Sequence, residues 1–495
     1  MLKANMMTDL EATSLKGGPS RRDFLQSGAM AALGGTVASS LAGAQPAPKS
    51  GKRPNLIFFL GEGQRADALS LAGNQILKTP NHDRIGREGV YFRSAFVMNA
   101  LCAPARAATL TGMYSHSTGA LGNNVKEPIP ANIPFFTDLL HQAGYEVALC
   151  GKAHVGDGAK DRYWDYYFGY NAPGTNYYHP VFWEGHKGQI TGPHTYSGSY
   201  ADDLVTERAI DWMKQERDKP FCLLLWFTAP HAPFYRARRH LDLYNGTPIP
   251  KPDTFDDDLK GYPGKPRAFA DADNKIGTTI LGNDDPRSLE ELVKDYYAGL
   301  VDVDENIGRV FDFLEKTNQL DDTVLLHSSD HGFFLGEWRM YDKRFMHEPS
   351  IRVPTMIRYP KEFQAGRTVD EMVLNLDIGP TLLELAGVPV PANMQGQSMV
   401  NLAKGKNDNW RKDWLYEYYE YPASQKVRPH RGIRTERYKF IHYYQSPEEF
   451  ELYDLQSDPG EKQNLYGKPE HAKLTEKLKN RIAELRKQAG DAGSA

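Results

Sequence analysis

Leu101-Cys-Ala-Pro-Ala-Arg-Ala-Ala-Thr-Leu-Thr-Gly112 sets Cys102, Pro104 and Arg106 at alternate positions, with Leu110-Thr111-Gly112 directly behind. The chain holds three cysteines, Cys102, Cys150 and Cys222, too few for a disulfide framework. Cys150 ends the apolar run Val147-Ala-Leu-Cys150, and Cys222 opens Phe221-Cys-Leu-Leu-Leu-Trp226. Both read as small strand residues of the core. Cys102 instead stands beside Pro104 in a loop-like setting. Free cysteine is often a buried structural residue, so the case for chemistry at Cys102 rests on what accompanies it.

Four apolar runs accompany it, each followed by polar residues. Asn55-Leu-Ile-Phe-Phe-Leu60 suits a strand buried on both faces of a parallel sheet. It leads into Gly61-Glu62-Gly63-Gln64-Arg65. Tyr145 to Leu149 leads into Gly151-Lys152-Ala153-His154-Val155-Gly156. Phe221 to Phe227 leads into Thr228-Ala-Pro-His231-Ala-Pro233. Thr323-Val-Leu-Leu-His327 leads into Ser328-Ser-Asp330-His331-Gly332. In open α/β sheets, ligands sit outside the carboxyl ends of the strands. Helices are expected between the strands. One runs from Ile133 to Ala143, stopped by Gly144, and one from Tyr200 to Arg217. A long one follows the capping box of Ser288 and Glu291, with Leu292, Tyr296, Leu300, Val303, Ile307, Phe311 and Leu314 on one face. A short one is entered through Pro380 and stopped by Gly387.

The Cys-x-Pro-x-Arg motif with its Leu-Thr-Gly sequel resembles the signature of the type I sulfatases. The other elements follow in that family's order: Lys78-Thr-Pro-Asn81, Gly151-Lys152-x-His154-x-Gly156, Pro230-His231-x-Pro233, Asp330-His331 and Tyr341-Asp-Lys343-Arg344. The resemblance runs from about Pro54 to about Leu465. It implies an α/β fold of the alkaline-phosphatase type, a mixed, mostly parallel sheet flanked by helices, with a smaller C-terminal α+β subdomain. It implies hydrolysis of a sulfate ester. Cys102 would be oxidised to formylglycine, whose hydrate attacks sulfur and then expels sulfate by collapsing to the aldehyde. That is covalent catalysis dividing one hard step into two. Arg106 would orient the hydrate, Lys152 and Lys343 would bind sulfate oxygens, His154 would act on the diol, and His231 would protonate the leaving oxygen.

The resemblance also implies a divalent cation held by Glu62, Cys102 in its oxidised form, Asp330 and His331. Calcium is the usual ion of the family; the imidazole keeps other divalent metals open. The family usually has Asp-Asp where this chain has Glu62-Gly63. One carboxylate is thus longer and one is missing. Water or Gln64 is expected to fill the gap, and Gly63→Asp is expected to tighten ion binding unless the backbone there requires positive φ.

Ser20-Arg21-Arg22-Asp23-Phe24-Leu25-Gln26 resembles a twin-arginine export signal, followed by a weakly apolar run to Leu41 and an Ala42-Gly43-Ala44 cleavage site. Residues 1–44 are therefore read as a signal peptide and 45–53 as a linker. Residues 54–400 are read as the catalytic domain and 401–495 as a C-terminal subdomain with a small antiparallel sheet and a terminal helix. The expected location is periplasmic or secreted, with no membrane span in the mature protein. The expected partners are a sulfated small molecule or glycan, a formylglycine-generating enzyme and the twin-arginine machinery.

With a net charge of −4 over 495 residues, no nucleic-acid footprint is present. Residues 157–200 and 235–287 show no steady period and read as excursions over the active face. Arg236, Arg238 and Arg239 are either contacts for an anionic sugar or a solvated basic turn. Two rivals stand beside the sulfatase reading. One is a formylglycine-dependent phosphodiester or phosphonate monoester hydrolase. The other is a non-catalytic sugar-binding relative, for which Gly63 is the best argument.

Overall fold

The structure, a computed structural model, describes residues 52–491 except 125–128, 157–158, 256–264, 274–275, 277–286, 408 and 424. The export-signal segment lies outside the described residues. Ten strands form the main sheet: β1 (Asn55–Gly61), β2 (Val90–Phe92), β3 (Glu146–Lys152), β4 (Tyr166–Tyr170), β5 (Val181–His186), β6 (Gln189–Thr195), β7 (Phe221–Trp226), β8 (Thr323–Ser329), β9 (Thr355–Arg358) and β10 (Arg367–Val369). Their order is β10-β2-β9-β8-β1-β7-β3-β4-β5-β6. The five strands from β8 to β4 run parallel. This is the mixed, mostly parallel sheet that the family resemblance implies, with the four apolar runs as adjacent parallel strands at its centre.

β1 sits at the centre because its whole apolar run is buried. Its side chains alternate between two cores. Leu56, Phe58 and Leu60 pack with α1 (Cys102–Thr111), α2 (Phe136–Gln142) and, later in the chain, α5 (Ile378–Leu385) through Ala108, Leu140 and Leu382. Ile57 and Phe59 face the opposite side. There they meet α3 (Ala201–Met213) and α4 (Leu289–Lys316) through Val205, Ala209, Ile307 and Phe311. Burying each such side chain contributes roughly 2 kcal/mol. The expected capping box opens α4: Ser288 Oγ accepts from Glu291 N at 3.3 Å, and Ser288 N donates to Glu291 Oε2 at 2.6 Å.

Three expectations shift. The helix expected from Ile133 begins at Phe136, because Pro134 disfavours helical backbone before it and Asp138 Oδ2 accepts from Phe135 N at 2.9 Å, closing the first turn there. Cys102 does not lie in a loop; it opens helix α1. Pro104 falls in that helix's first turn, where a missing N–H costs nothing. Gly112, at φ +65, ends the helix in the left-handed conformation. The excursion 157–200 carries β4, β5 and β6. β6 is largely exposed and β5 half-exposed, so neither needs an apolar period that sequence could reveal.

A separate antiparallel sheet closes the chain: β11 (Asp413–Tyr418), β12 (His430–Thr435), β13 (Tyr438–Tyr443) and β14 (Glu449–Asp454), in that order. α6 (Ala472–Gln488) lies on it, with Arg481 Nε donating to Asp413 Oδ2 at 2.7 Å. No helix among the described residues is long and apolar enough to cross a membrane.

His430 lies at the heart of this sheet, fully buried among Tyr416, Tyr418 and Tyr443. Burial pushes its pKa down to about 4. The neutral ring is therefore the folded form. Its contribution is complete above the unfolded value near 6.5 and is lost as pH falls towards 4. Between pH 7 and pH 4 the protein should lose about 3 kcal/mol more stability than a His430→Phe variant. Denaturant melts of both proteins at the two pH values check this; equal losses would sink the assignment.

Candidate active site

The chemistry-bearing residues converge where the sheet's parallel strands end. Glu62 follows β1, Lys152 closes β3, His154 lies two residues beyond it, His231 follows β7, and Asp330 and His331 follow β8. Cys102, at the start of α1, enters the same space. Its Sγ lies 3.2 Å from Glu62 Oε1 and 3.4 Å from His331 Nε2. Lys343 lies 4.0 Å from Glu62 Oε1 and 3.3 Å from Asp342 Oδ1. All nine site residues expected from sequence thus lie in or beside one cluster.

Arg106 binds the cluster together. Its guanidinium donates to Glu62 Oε2 at 2.7 Å, Asp330 Oδ2 at 2.9 Å and the Lys152 carbonyl at 2.6 Å. These bonds commit it to framing the two carboxylates. Lys152 Nζ donates to the same Glu62 oxygen at 2.8 Å. Glu62, Arg106, Lys152, Asp330 and His331 are all buried. Pairing is what makes such burial tolerable. Burial works to raise the Glu62 pKa, but Lys152, a bond to His331, and Arg106 hold it well below the usual carboxylate range. Burial and Glu62 push the Cys102 thiol up; Lys152, Lys343 and His331 outweigh them and hold it well below its ordinary value. Burial pushes His154 down, so its ring is neutral. Four cationic side chains, Arg106, Lys152, Lys343 and Arg344, are interleaved with four carboxylates, Glu62, Asp330, Asp342 and Glu420.

Gly63 has φ +64. Its N–H donates to Asp330 Oδ1 at 3.0 Å, and its carbonyl accepts from Tyr296 at 2.8 Å. A Cβ there would sit 3.3 Å from His331 Cε1 and 3.3 Å from Phe333 Cδ2. The condition attached to Gly63→Asp therefore fails: the position needs the left-handed backbone and has little room. Gln64 does not fill the gap either. Its side chain points away, with Oε1 2.9 Å from His327 Nε2 and its amide donating to Ala68 O at 3.2 Å.

His231 sits on a loop held from three sides. Asp202, in the first turn of α3, accepts from Thr228 N at 2.7 Å and Ala229 N at 2.8 Å. Tyr177 donates to the His231 carbonyl at 2.6 Å. His231 Nδ1 lies 2.7 Å from the Ala232 carbonyl, to which it donates, leaving Nε2 3.9 Å from Glu62 Oε1. His231 and Lys343 open onto a cavity of about 830 Å³, also lined by Asn123, Arg344, Glu420 and Gln425. Sequence gave no sign of Asp202, Tyr177 or Glu420. Arg344 could have been suspected only as the neighbour of Lys343. Arg236 and Arg239 are spent elsewhere. Arg236 Nε donates to Asp295 at 2.7 Å, and Arg239 donates to Asp203 at 2.6 Å and Glu305 at 2.7 Å.

The donor set fits a divalent cation. Glu62, Cys102, Asp330 and His331 each offer an atom, and these atoms lie within 4.8 Å of one another. Arg106 and Lys152 occupy the outer carboxylate oxygens, so Glu62 Oε1 and Asp330 Oδ1 face the shared space. With an oxygen in place of the Cys102 sulfur the set would be dominated by hard donors.

A buried cysteine ringed by cations, carboxylates and imidazoles at the carboxyl ends of a parallel sheet is an arrangement suited to the hydrolysis of oxyanion esters. Comparison with known proteins narrows this. The sulfatase family model matches residues 54–388, and the model described as N-sulphoglucosamine sulphohydrolase, C-terminal, matches residues 336–488. The chain is 36 % identical over 507 residues to an N-acetylglucosamine-6-O-sulfatase of Bacteroides thetaiotaomicron, covering 90 % of this chain and 89 % of the relative. A solved structure described as BT4656 in complex with its substrate D-glucosamine-2-N,6-O-disulfate superposes with a TM-score of 0.81 at 34 % identity, covering 89 % of this chain and 99 % of that one. The phosphonate monoester hydrolase of Agrobacterium radiobacter shares the fold, with a TM-score of 0.73 at 22 % identity over 88 % and 96 % of the two chains. The chain belongs to the sulfatase family, within the alkaline phosphatase superfamily, and is a sulfuric ester hydrolase.

Proposed function

We propose that the chain removes a sulfate ester from a sulfated sugar of the glucosamine class, using formylglycine made from Cys102 and a calcium ion. The observation that carries this is the position of Cys102 Sγ, 3.2 Å from Glu62 and 3.4 Å from His331, inside a ring of cations. Similarity to the N-acetylglucosamine-6-O-sulfatase supports the sugar. Formylglycine, as its hydrate, supplies the oxygen that attacks sulfur. Glu62, Asp330, His331 and the side chain at 102 would hold the cation, which would supply positive charge to offset that of the sulfate. Lys152 and Lys343 bind those oxygens and offset charge as it concentrates there. His154, kept neutral by burial, accepts a proton from the side chain at 102. His231, its Nδ1 committed to the Ala232 carbonyl, presents Nε2 to the leaving oxygen and donates its proton. The Ser20–Gln26 segment supports action outside the cytoplasm after twin-arginine export.

The test combines a mass spectrum of the Cys102 peptide with turnover of 6-O-sulfo-N-acetylglucosamine. An unmodified thiol in active protein would overturn the formylglycine assignment, and a sugar that is not turned over would overturn the substrate class. His231→Ala should cost about 10²–10⁴-fold with the sugar sulfate and far less with an activated aryl sulfate, because general acid catalysis matters most when the departing oxygen is basic. Equal losses with both substrates would remove His231 from this role.

A further inference from the structure

Just past the end of β7, Phe227 N donates to Leu60 O at 3.0 Å and ties the chain to β1. Beyond that bond the chain runs Thr228-Ala-Pro-His231-Ala-Pro233. Pro230 and Pro233 have no N–H to offer a neighbour. Within the turn, His231 N donates to Thr228 O at 2.9 Å. The place of His231 then depends on what meets the backbone on either side of it.

Asp202 meets it on the incoming side. Its Oδ1 accepts from Thr228 N at 2.7 Å and its Oδ2 from Ala229 N at 2.8 Å, so each oxygen takes one of two consecutive N–H groups. Tyr177, from the loop between β4 and β5, meets it at His231 itself. Its hydroxyl donates to the His231 carbonyl at 2.6 Å, and its ring packs beside Tyr200 and Tyr235, with centroids 5.8 Å and 6.0 Å away. Both side chains are buried, and neither lines the active-site cavity. What they do for the reaction they do through His231.

A fully buried carboxylate is a costly way to hold a turn. Burial pushes the Asp202 carboxyl up to about 7; the bonds from Thr228 and Ala229 pull it down, and Asp203 and Asp302 push it up again. What the carboxylate offers is two acceptor atoms on one side chain, for two adjacent donors. Asparagine has one such atom, and its other is a donor. The paired bonds fix the peptides that lead into His231. The ring follows this backbone, because His231 Nδ1 donates to the carbonyl of its own neighbour Ala232 at 2.7 Å. A shift of the turn is therefore a shift of Nε2, and misplacing a reacting group by about 1 Å can cost on the order of 10²-fold in rate.

We infer that Asp202 is a positioning residue for the proton donor: its carboxylate on Thr228 and Ala229, together with Tyr177 on the His231 carbonyl, sets where Nε2 meets the leaving oxygen. The inference rests on the reading of His231 given above and deepens it.

The experiment measures kcat and KM for phenyl sulfate and 4-nitrophenyl sulfate, whose leaving oxygens differ in basicity. The proteins are wild type, Asp202→Asn, His231→Ala and the double variant. Asp202→Asn keeps the side-chain shape but turns an NH₂ towards one of the two N–H groups. It should lower kcat for phenyl sulfate by about 10–100-fold and for 4-nitrophenyl sulfate by about threefold or less, with KM near wild type for both. A residue that only supports the fold would lower both alike. On a His231→Ala background, Asp202→Asn should cost nothing further, because the group it positions is gone. Tyr177→Phe keeps the ring and drops the bond to the His231 carbonyl. It should show the same selectivity, and it carries the test if Asp202→Asn does not fold. Equal losses on both sulfates, or losses that multiply in the double variant, would overturn the inference. If His231→Ala discriminates between the two sulfates while Asp202→Asn and Tyr177→Phe do not, His231 remains the proton donor and the positioning role falls. If His231→Ala itself does not discriminate, the reading of His231 fails and takes the inference with it.

Discussion

Cys102→Ala abolishes turnover, by about 10⁴-fold or more, while the protein folds and melts as before. The size follows from the role: without an oxygen nucleophile at position 102 nothing in the cluster can replace it. Arg106 is spent on Glu62, Asp330 and the Lys152 carbonyl. Cys150 and Cys222 are buried in strands, and burial pushes their thiols up. The fold should tolerate the change because Cys102 heads a helix whose other side chains, among them Ala107, Ala108 and Leu110, carry the packing. A small side chain there removes few contacts. Comparing aryl sulfate turnover and the thermal midpoint of wild type and variant checks both halves. Turnover within tenfold of wild type would sink the nucleophile assignment, and a collapsed midpoint would show that Cys102 serves the core as well.

The parts of this molecule legible in its sequence are those where physics leaves little choice. β1, β3, β7 and β8 are buried on both faces, so their apolar runs are unbroken and their ends are marked by the polar residues that follow. The capping box of α4 is a local device and stands as written. What stayed hidden depends on partners distant in sequence. β5 and β6 form the exposed edge of the sheet, where only hydrogen bonding to a neighbour makes a strand. Pro104 pointed to a loop, yet a helix's first turn accepts proline equally well. Asp202 is one acidic residue among several at the start of α3 until the fold sets it under Thr228 and Ala229. Gly63 looked like a lost ligand; its backbone amide, aimed at Asp330, gives it another role.

Glu62 is where that substitution of ligands is most consequential, and Glu62→Gln should both destabilise and inactivate the protein. One oxygen of Glu62 takes hydrogen bonds from Arg106 at 2.7 Å and Lys152 at 2.8 Å, and both cations are fully buried. An amide keeps the shape but not the charge, and its NH₂ can face a cation that has only donors to offer. Breaking a buried ion pair at one end costs about 3–5 kcal/mol, because the other charge stays behind unpaired. Glu62→Asp keeps the charge but draws the carboxylate back by one methylene, lengthening either the bonds to Arg106 and Lys152 or the reach of the other oxygen towards Cys102. The two variants should therefore separate. Glu62→Gln loses stability and activity, and added calcium restores neither. Glu62→Asp folds more nearly as wild type and regains activity as calcium is raised, since charge count sets affinity and added ion offsets a looser site. Denaturant melts and calcium titrations of chelator-treated protein measure both effects. Wild-type stability in Glu62→Gln would show that Arg106 and Lys152 are compensated by other groups, and full activity of verified metal-free wild type would end the case for an ion at Glu62.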